Sequence, residues 1–452
     1  MNWKRSLRKI IPRWLSSSYH LLYAWYGAWR YYCPSEEIRV IGVTGTSGKS
    51  STIYFLKQIL EYCGFKVGAL STIEFCIAGD CRLNDRKMTM LGKTEIQKSL
   101  RQMTDAGCDI ALIETTSEGF VQCRHRFINY DAIVLTNLYP EHIESHGSFE
   151  NYKAAKLGIF EYVAKCRVKK IGREIIPKTC FVNGNSEYAS QFLQFPFQQK
   201  IVFGKLEIGN QKSEIKTDAS YCASNADITR EGIKFELDHR IYTALVHGEY
   251  NVSNIAAAIA IAKNLNVDVE KIKETVAALK PVPGRLEFIA LAEARGLHVI
   301  IDYAFEPVAM AELYKVVALY KPKRIIHVFG STGGGRDVAR RFTVGEFVGA
   351  RADICIVTDE DPYDDDPMEI MNDVAEAARK QGKKDDLNLF IIPDRRKAIG
   401  KALSLAVPGD MVLVTGKGSE QAMVVKGELK PWDDREVVRS SLNVIPEHYQ
   451  YG

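Results

Sequence analysis

The run Gly42–Ser51 (GVTGTSGKSS) gathers the residue types that a triphosphate needs. Gly45, Thr46, Ser47 and Gly48 can turn backbone N–H groups toward phosphate oxygens, and a helix opening at the lysine would add its own N-terminal donors. Lys49 would reach the β/γ-phosphates, while Ser50, with Ser51 beside it, offers a hydroxyl to Mg²⁺. Strictly, the spacing departs from G-x-x-x-x-G-K-[ST]. Five residues before Gly48 stands Val43, and the glycine is Gly42. A tight glycine turn without a ligand is the bland alternative; the Lys-Ser pair between an apolar run and a helical pattern argues against it.

Three further residues could serve such a loop. Glu114 closes the apolar run Asp109–Glu114 (DIALIE), a strand tip where a carboxylate can meet phosphate-bound Mg²⁺. His142 follows a second apolar run, Ala132–Thr136 (AIVLT). Alone, a histidine in EHIESH reads as a surface helix residue. His142 and His146 stand at i, i+4, but no third zinc ligand accompanies them. Lys156, in AAKLGIF, reads by itself as a lysine snorkelling from an amphipathic helix.

The elements that would position these residues follow from periodicity. Ile38–Val43 predicts a buried strand and Ser50–Cys63 a helix. Residues 200–247, with stretches such as GIKFEL, predict a small β insertion. Asn251–Leu265 predicts an alanine-rich helix, and Val269–Leu279 another, capped by Asp268. Pro281–Arg285 (PVPGR) is the strongest break. Beyond it, strands Leu297–Tyr303, Arg324–Phe329, Ile354–Thr358 and Met411–Thr415 alternate with helices such as Val308–Tyr320. The expected class is α/β: a P-loop central domain with a mostly parallel sheet, then a C-terminal Rossmann-like α/β domain. Three segments result: 1–37, a basic aromatic segment; 38–283, the ATP-binding domain; and 284–452, the C-terminal domain.

Composition narrows the partners. With 452 residues, 46% hydrophobic and 26% charged, the chain is long enough for several cores and is neither disordered nor a disulfide scaffold. A net charge of +4 implies no nucleic-acid partner. The charge is uneven, however. Met1–Ser35 holds six cations (Lys4, Arg5, Arg8, Lys9, Arg13, Arg30), no acid, and four of the five tryptophans, so the remainder carries −2. Trp14–Trp29 is uncharged but too short and polar to span a bilayer. Two readings stay open: a helix packing its aromatic face on the following domain, or peripheral membrane contact through residues 1–35. Ten cysteines without a CxxC pair suggest buried thiols in the cytoplasm, with the membrane's inner face as the alternative setting. Nothing in the sequence fixes an oligomeric state.

Taken in order, these segments resemble the Mur ligase family, and within it the MurE-type branch, over about residues 38–440. GVTGTSGKSS is similar to the family's GxTGTNGKTT loop, with Ser47 in place of asparagine. IETTSEGFVQCR (Ile113–Arg124) is similar to the segment whose glutamate binds magnesium. TNLYPEHIESHGSFENYKAAK (Thr136–Lys156) is similar to the TNL..DHLD.HG....Y..AK signature. HGEYNVSNIAAA, VPGRLE, IDYAFEP, TDEDPYDDDP and GKGSEQ each resemble later motifs. The resemblance implies an ATP-dependent ligase adding an amino acid to a carboxylate of a muramyl-peptide-like precursor, small or nucleotide-sugar-borne, through an acyl phosphate. It implies catalytic roles for Lys49, Glu114, His142 and Lys156. It also implies two Mg²⁺ ions held by Ser50, Glu114, His142 and Lys156, the lysine carbamylated so that a cation becomes a carboxylate. By the same resemblance Asn254 contacts adenine, and Arg285 and Asp302 reach the nucleotide. Thr89, Ser117 and Arg124 match acceptor positions, and Asp361 and Glu420 match positions around the incoming amino acid.

Departures from the pattern sharpen the expectation. Family members hold the UDP end of the precursor in an N-terminal domain, whereas here the phosphate loop begins at residue 42. That domain is expected to be absent, with the basic aromatic segment in its place. Tyr363 stands where diaminopimelate-selecting members carry the arginine of D-N-P-R, which removes a bidentate carboxylate clamp and disfavours diaminopimelate. Ser419 and Phe305 replace histidines of GKGHE and DYAHTP. The alternatives are a ligase like folylpolyglutamate or poly-γ-glutamate synthetases, or a non-catalytic nucleotide-binding partner subunit. The set Lys49, Glu114, His142, Lys156 and Arg285 argues against lost chemistry.

Overall fold

A computed structural model describes residues 13–141, 146–205, 217–334 and 338–444. Strand β1 (Arg39–Thr44) is the axis of the larger sheet. Around it, in chain order, come β2 (Val67–Leu70), β3 (Glu74–Ile77), β4 (Asp80–Leu83), β5 (Ile110–Glu114), β6 (Ala132–Leu135), a separate hairpin β7 (Lys169–Ile171) and β8 (Glu174–Ile176), then β9 (Thr179–Asn183), β10 (Gln199–Lys205), β11 (Ala219–Ile228), β12 (Ile233–Leu237) and β13 (Arg240–Ala244). Among the described residues the sheet has eleven strands in the order β13-β12-β11-β10-β9-β6-β1-β5-β2-β3-β4. Its centre is parallel: Val43 lies opposite Glu114 and Thr44 opposite Leu135. The carboxyl ends of β5, β1 and β6 therefore finish side by side, the position where open α/β sheets receive ligands.

Helices cover both faces of this sheet. Lys49–Tyr62 and the alanine-rich Tyr250–Asn264 pack on one face with Val43, Leu112, Val134 and Phe203. Lys93–Asp105 and Phe149–Ala164 pack on the other with Val40, Ile113 and Ile133. Strands this apolar on both sides read as continuous hydrophobic runs, as buried parallel strands must. Asp268 caps Val269–Ala277 by accepting from the N–H groups of Glu270 (2.9 Å) and Lys271 (3.1 Å). The β-rich stretch expected at 200–247 extends the main sheet instead of standing apart. β10 runs parallel to both β9 and β11, and within this stretch β11, β12 and β13 pair antiparallel, as β2, β3 and β4 do at the opposite edge of the sheet. Phe203, Phe235 and Tyr242 need the cover that Tyr250–Asn264 supplies, and that burial ties the strands to the sheet.

After Pro281–Arg285 a second sheet begins with β14 (Glu287–Phe288), β15 (His298–Asp302), β16 (Ile325–Phe329), β17 (Ile354–Val357), β18 (Leu389–Ile391) and β19 (Met411–Thr415). Its order is β14-β15-β19-β16-β17-β18, parallel from β15 onward. A hairpin, β20 (Ala422–Val425) and β21 (Glu428–Pro431), follows.

Two expectations need correction. Helix Arg13–Arg30 does pack on the body, but through Ala24, Gly27 and Ala28; Tyr19, Tyr23, Trp25, Tyr26 and Trp29 face outward. Small residues permit the close approach, with a Cβ on Gly27 standing only 3.0 Å from Thr94 Cα. Nor are all the thiols free. Cys76 and Cys81 sit directly opposite each other on β3 and β4 and are joined as a disulfide. Spacing along the chain conceals such a pair; hairpin register creates it.

Candidate active site

The phosphate loop leaves β1 at Thr44 and enters the helix at Lys49. Gly48 has φ +77°, and a Cβ there would meet Asn254 Oδ1 at 2.5 Å, so only glycine fits without strain. The segment just beyond β6 and the helix Phe149–Ala164 hold the loop's shape. Asn137 Oδ1, just beyond β6, accepts from the N–H groups of Thr46 (3.1 Å) and Ser47 (2.9 Å). The Tyr152 hydroxyl donates to Thr46 Oγ1 at 3.1 Å. Thr136 Oγ1 donates to the Ser47 carbonyl at 2.6 Å. Lys49 Nζ folds over the loop onto the carbonyls of Gly45 (3.1 Å) and Thr46 (2.8 Å).

Beside the loop lies a buried set of oxygen donors. Ser50 Oγ donates to Glu114 Oε2 at 2.8 Å. The same oxygen accepts from Thr72 N (2.8 Å) and Thr72 Oγ1 (3.0 Å), and Thr72 Oγ1 lies 3.0 Å from Thr89 Oγ1. A serine hydroxyl and a carboxylate are hard donors of the kind Mg²⁺ takes. Lys156, on Phe149–Ala164, is 1% exposed, and its Nζ donates to the Gly45 carbonyl at 2.7 Å. Burial, and then the charge on Lys49, hold its ammonium well below the ordinary lysine range. Glu141 shares this interior: burial raises its carboxyl while Lys49, Lys156 and Arg340 pull it back. Glu306, facing Glu141, is pushed up to about 7 by burial and by that neighbour. His142 lies outside the described residues. Ser51 is buried in the first turn of Lys49–Tyr62.

The remaining predicted residues fall into four groups. Asn254 accepts from Thr52 Oγ1 (3.3 Å) and donates to Asn251 Oδ1 (2.9 Å), which places it against the loop's back. Arg285 stacks on the Tyr303 ring at 3.9 Å, next to Asp302, which accepts from Leu286 N and Ala304 N at 2.7 Å each. Ser117 Oγ contacts His146 Nε2 at 3.1 Å, and Arg124 reaches the Met90 carbonyl and Gln122 Oε1. Thr89 and Met90 belong to one loop, so the acceptor-type positions adjoin the Glu114 network.

A cross-sheet cluster completes the site. Lys417 Nζ lies 2.6 Å from Glu420 Oε2 and 3.0 Å from Asp361 Oδ2. Lys87, from the loop that carries Thr89, pairs with Asp361 and stands 3.1 Å from Glu420. Burial pushes the Asp361 carboxyl up, but Lys417 and Lys87 outweigh it and hold it below the usual range. Thr72, Glu141, Lys87 and Lys417 are members that the sequence reading missed. Thr72 and Lys87 lie in irregular loops with no periodic signal. Glu141 and Lys417 stood inside quoted motifs, YPEHI and GKGSEQ, and could have been singled out there.

Comparison with known proteins sets this geometry in context. The family model described as Mur ligase middle domain matches residues 43–262, and that described as Mur ligase, glutamate ligase domain, matches residues 284–418. The chain is 34% identical to a UDP-N-acetylmuramyl-tripeptide synthetase from Borreliella afzelii over 418 residues, covering 90% of this chain and 78% of that protein. It is 30% identical to a UDP-N-acetylmuramoyl-L-alanyl-D-glutamate--2,6-diaminopimelate ligase from Clostridium acetobutylicum, covering 91% and 80%. Among solved structures, the folylpolyglutamate synthase of Mycobacterium tuberculosis, complexed with ADP and AMPPCP, is similar at a TM-score of 0.65 and 16% identity, covering 94% and 96%. A likeness at that identity speaks for the fold alone.

Proposed function

The chain belongs to the Mur ligase family, and on that premise we propose how its site joins an amino acid to a carboxylate of a muramyl-peptide precursor, using ATP. The reading rests above all on the convergence of Lys49, Ser50, Glu114 and Lys156 around the Gly45–Ser50 loop.

The reaction first sets two anions against each other. The acceptor carboxylate attacks the γ-phosphorus in line, the bond to the ADP oxygen breaks, and an acyl phosphate forms. After losing a proton, the incoming amine adds to the carbonyl carbon; the C–O bond to phosphate breaks, phosphate leaves, and the nitrogen sheds its remaining surplus proton as the amide forms. Neutralising charge is the main demand in the first step. Lys49 meets part of it, swinging from the loop carbonyls to the β/γ-phosphates. Bound Mg²⁺ would supply further positive charge on the phosphate oxygens. Two ions would be held by Ser50, Glu114, His142 and a carbamylated Lys156. The depressed ammonium of Lys156 suits that modification, because only the neutral amine attacks CO₂, losing a proton as the carbamate forms.

Asn254 supports the adenine side, and Arg285 with Asp302 reaches the nucleotide from the second sheet. Thr89, Ser117 and Arg124 bind the acceptor peptide, which is carried on a nucleotide sugar. Glu420 receives the incoming ammonium, and Asp361 with Lys417 and Lys87 shapes that end. Tyr363 offers no bidentate partner for a second carboxylate, so diaminopimelate is not the favoured amino acid. A reaction fed by ATP supports a cytoplasmic setting. Incubation with ATP, Mg²⁺, a UDP-muramyl dipeptide and each amino acid in turn, read by product mass, tests this function. The expected product gains one amino-acid residue; no mass gain with any amino acid overturns it.

A further inference from the structure

Helix Arg13–Arg30 is amphipathic in reverse. Its packed side is small: Ala24 and Ala28 are buried, and Gly27 lies against Thr94. Lys93 Nζ reaches His20 Nδ1 at 2.8 Å and fastens the same side. Opposite, at helical spacing, stand Leu22 (64% exposed), Trp25 (52%), Tyr26 (46%) and Trp29 (62%), flanked by Tyr19 and Tyr32. The rings order one another, with Trp25 stacked on Trp29 at 6.3 Å. An apolar strip of this kind on a protein surface marks a place where something else binds.

Charge decides what binds. Met1–Ser35 contains six cations and no acid. A second copy of the same face would bring like charges together, which disfavours self-association through it. Tryptophan and tyrosine beside lysine and arginine match the lipid headgroup boundary, where rings sit below the phosphates and cations beside them. No helix among the described residues is long and apolar enough to cross a membrane. We propose that the Leu22–Trp25–Tyr26–Trp29 face lies flat on an anionic lipid surface, to which the surplus positive charge of the Met1–Ser35 sequence is attracted. Each cation near such a surface strengthens partitioning roughly fivefold, so charge and aromatic burial act together.

Flotation of the full chain with phosphatidylcholine vesicles, with or without phosphatidylglycerol, tests this. The wild type is expected to float with the anionic vesicles and to stay in solution with the neutral ones. Trp25→Ser/Trp29→Ser should lower anionic partitioning on the order of tenfold or more. Neutralising Lys4, Arg5, Arg8 and Lys9 to Gln should remove the preference for phosphatidylglycerol. Both variants should keep the wild-type thermal melt, because the two tryptophans are largely exposed. Absence of wild-type flotation, or equal flotation of wild type and both variants, overturns the proposal. So does a wild-type dimer in sedimentation velocity that the tryptophan variant dissociates, since a second copy would then cover the face.

Discussion

Lys156 and Lys49 donate to one oxygen, the Gly45 carbonyl, at 2.7 and 3.1 Å. Two ammonium groups on a single acceptor, one of them fully enclosed, repel each other in a medium that screens poorly. The buried one yields. Burial and Lys49 together depress the Lys156 ammonium, giving a nucleophilic amine next to a phosphate loop. Conversion to a carbamate would reverse the charge and turn repulsion into attraction.

Lys156→Ala is expected to lower kcat by about 10²–10³-fold, the usual cost of losing one charge-stabilising group in a dry site. Added short-chain carboxylates should restore part of the activity by occupying the vacated space. Phosphate-release assays with and without acetate check both. Wild-type kcat in the alanine variant would show that the lysine only packs.

Ser50 and Glu114 share a hydrogen bond at 2.8 Å and should act on the same ion. Glu114→Gln keeps the shape and removes the charge. It is expected to raise the Mg²⁺ concentration for half-maximal activity about tenfold or more, with a smaller rise for Ser50→Ala. Magnesium titrations of initial rate provide the measurement, and an unchanged midpoint in Glu114→Gln would remove Glu114 from the metal site.

Lys87 is the only described contact in the Asp361–Lys417–Glu420 cluster that comes from the first sheet's side. Lys87→Met should raise KM for the amino acid about tenfold while KM for ATP stays within about twofold, the ratio expected when one buried ion-pair partner is lost. Steady-state kinetics with each substrate varied separates the two. Equal rises in both KM values would mean that Lys87 acts on closure of the whole site.

Glu360 is buried, and its carboxyl is pushed up to about 7 from 4.5. Below the lower value it is protonated folded or unfolded. Between the two, only the folded chain keeps the proton, so stability declines as pH rises and the loss is complete above about 7. Glu360→Gln removes this term. Its stability relative to wild type should grow by on the order of 2–3 kcal/mol between about pH 5 and about pH 8, read from urea midpoints. A pH-independent difference would contradict the assignment.

Local pattern made much of this molecule legible. β1, β5 and β6 announce themselves as apolar runs, and the glycine-lysine-serine loop between strand and helix marks its own ligand. Contacts set by register were hidden. Thr72 reaches Glu114 only because β2 lies beside β5, and Lys87 meets Asp361 across two sheets. Cys76 and Cys81 pair through a hairpin that their spacing does not reveal. The first helix shows the same limit: its aromatic content suggested the packed side, but Ala24, Gly27 and Ala28 allow the closer approach and win it.

Phosphate release followed alongside amide formation tests the ligase assignment most directly. Phosphate is expected only when ATP, a muramyl-peptide acceptor and an amino acid are all present, with one phosphate released per amide formed. Steady phosphate release without acceptor, or phosphate with no amide product in the complete mixture, would contradict it.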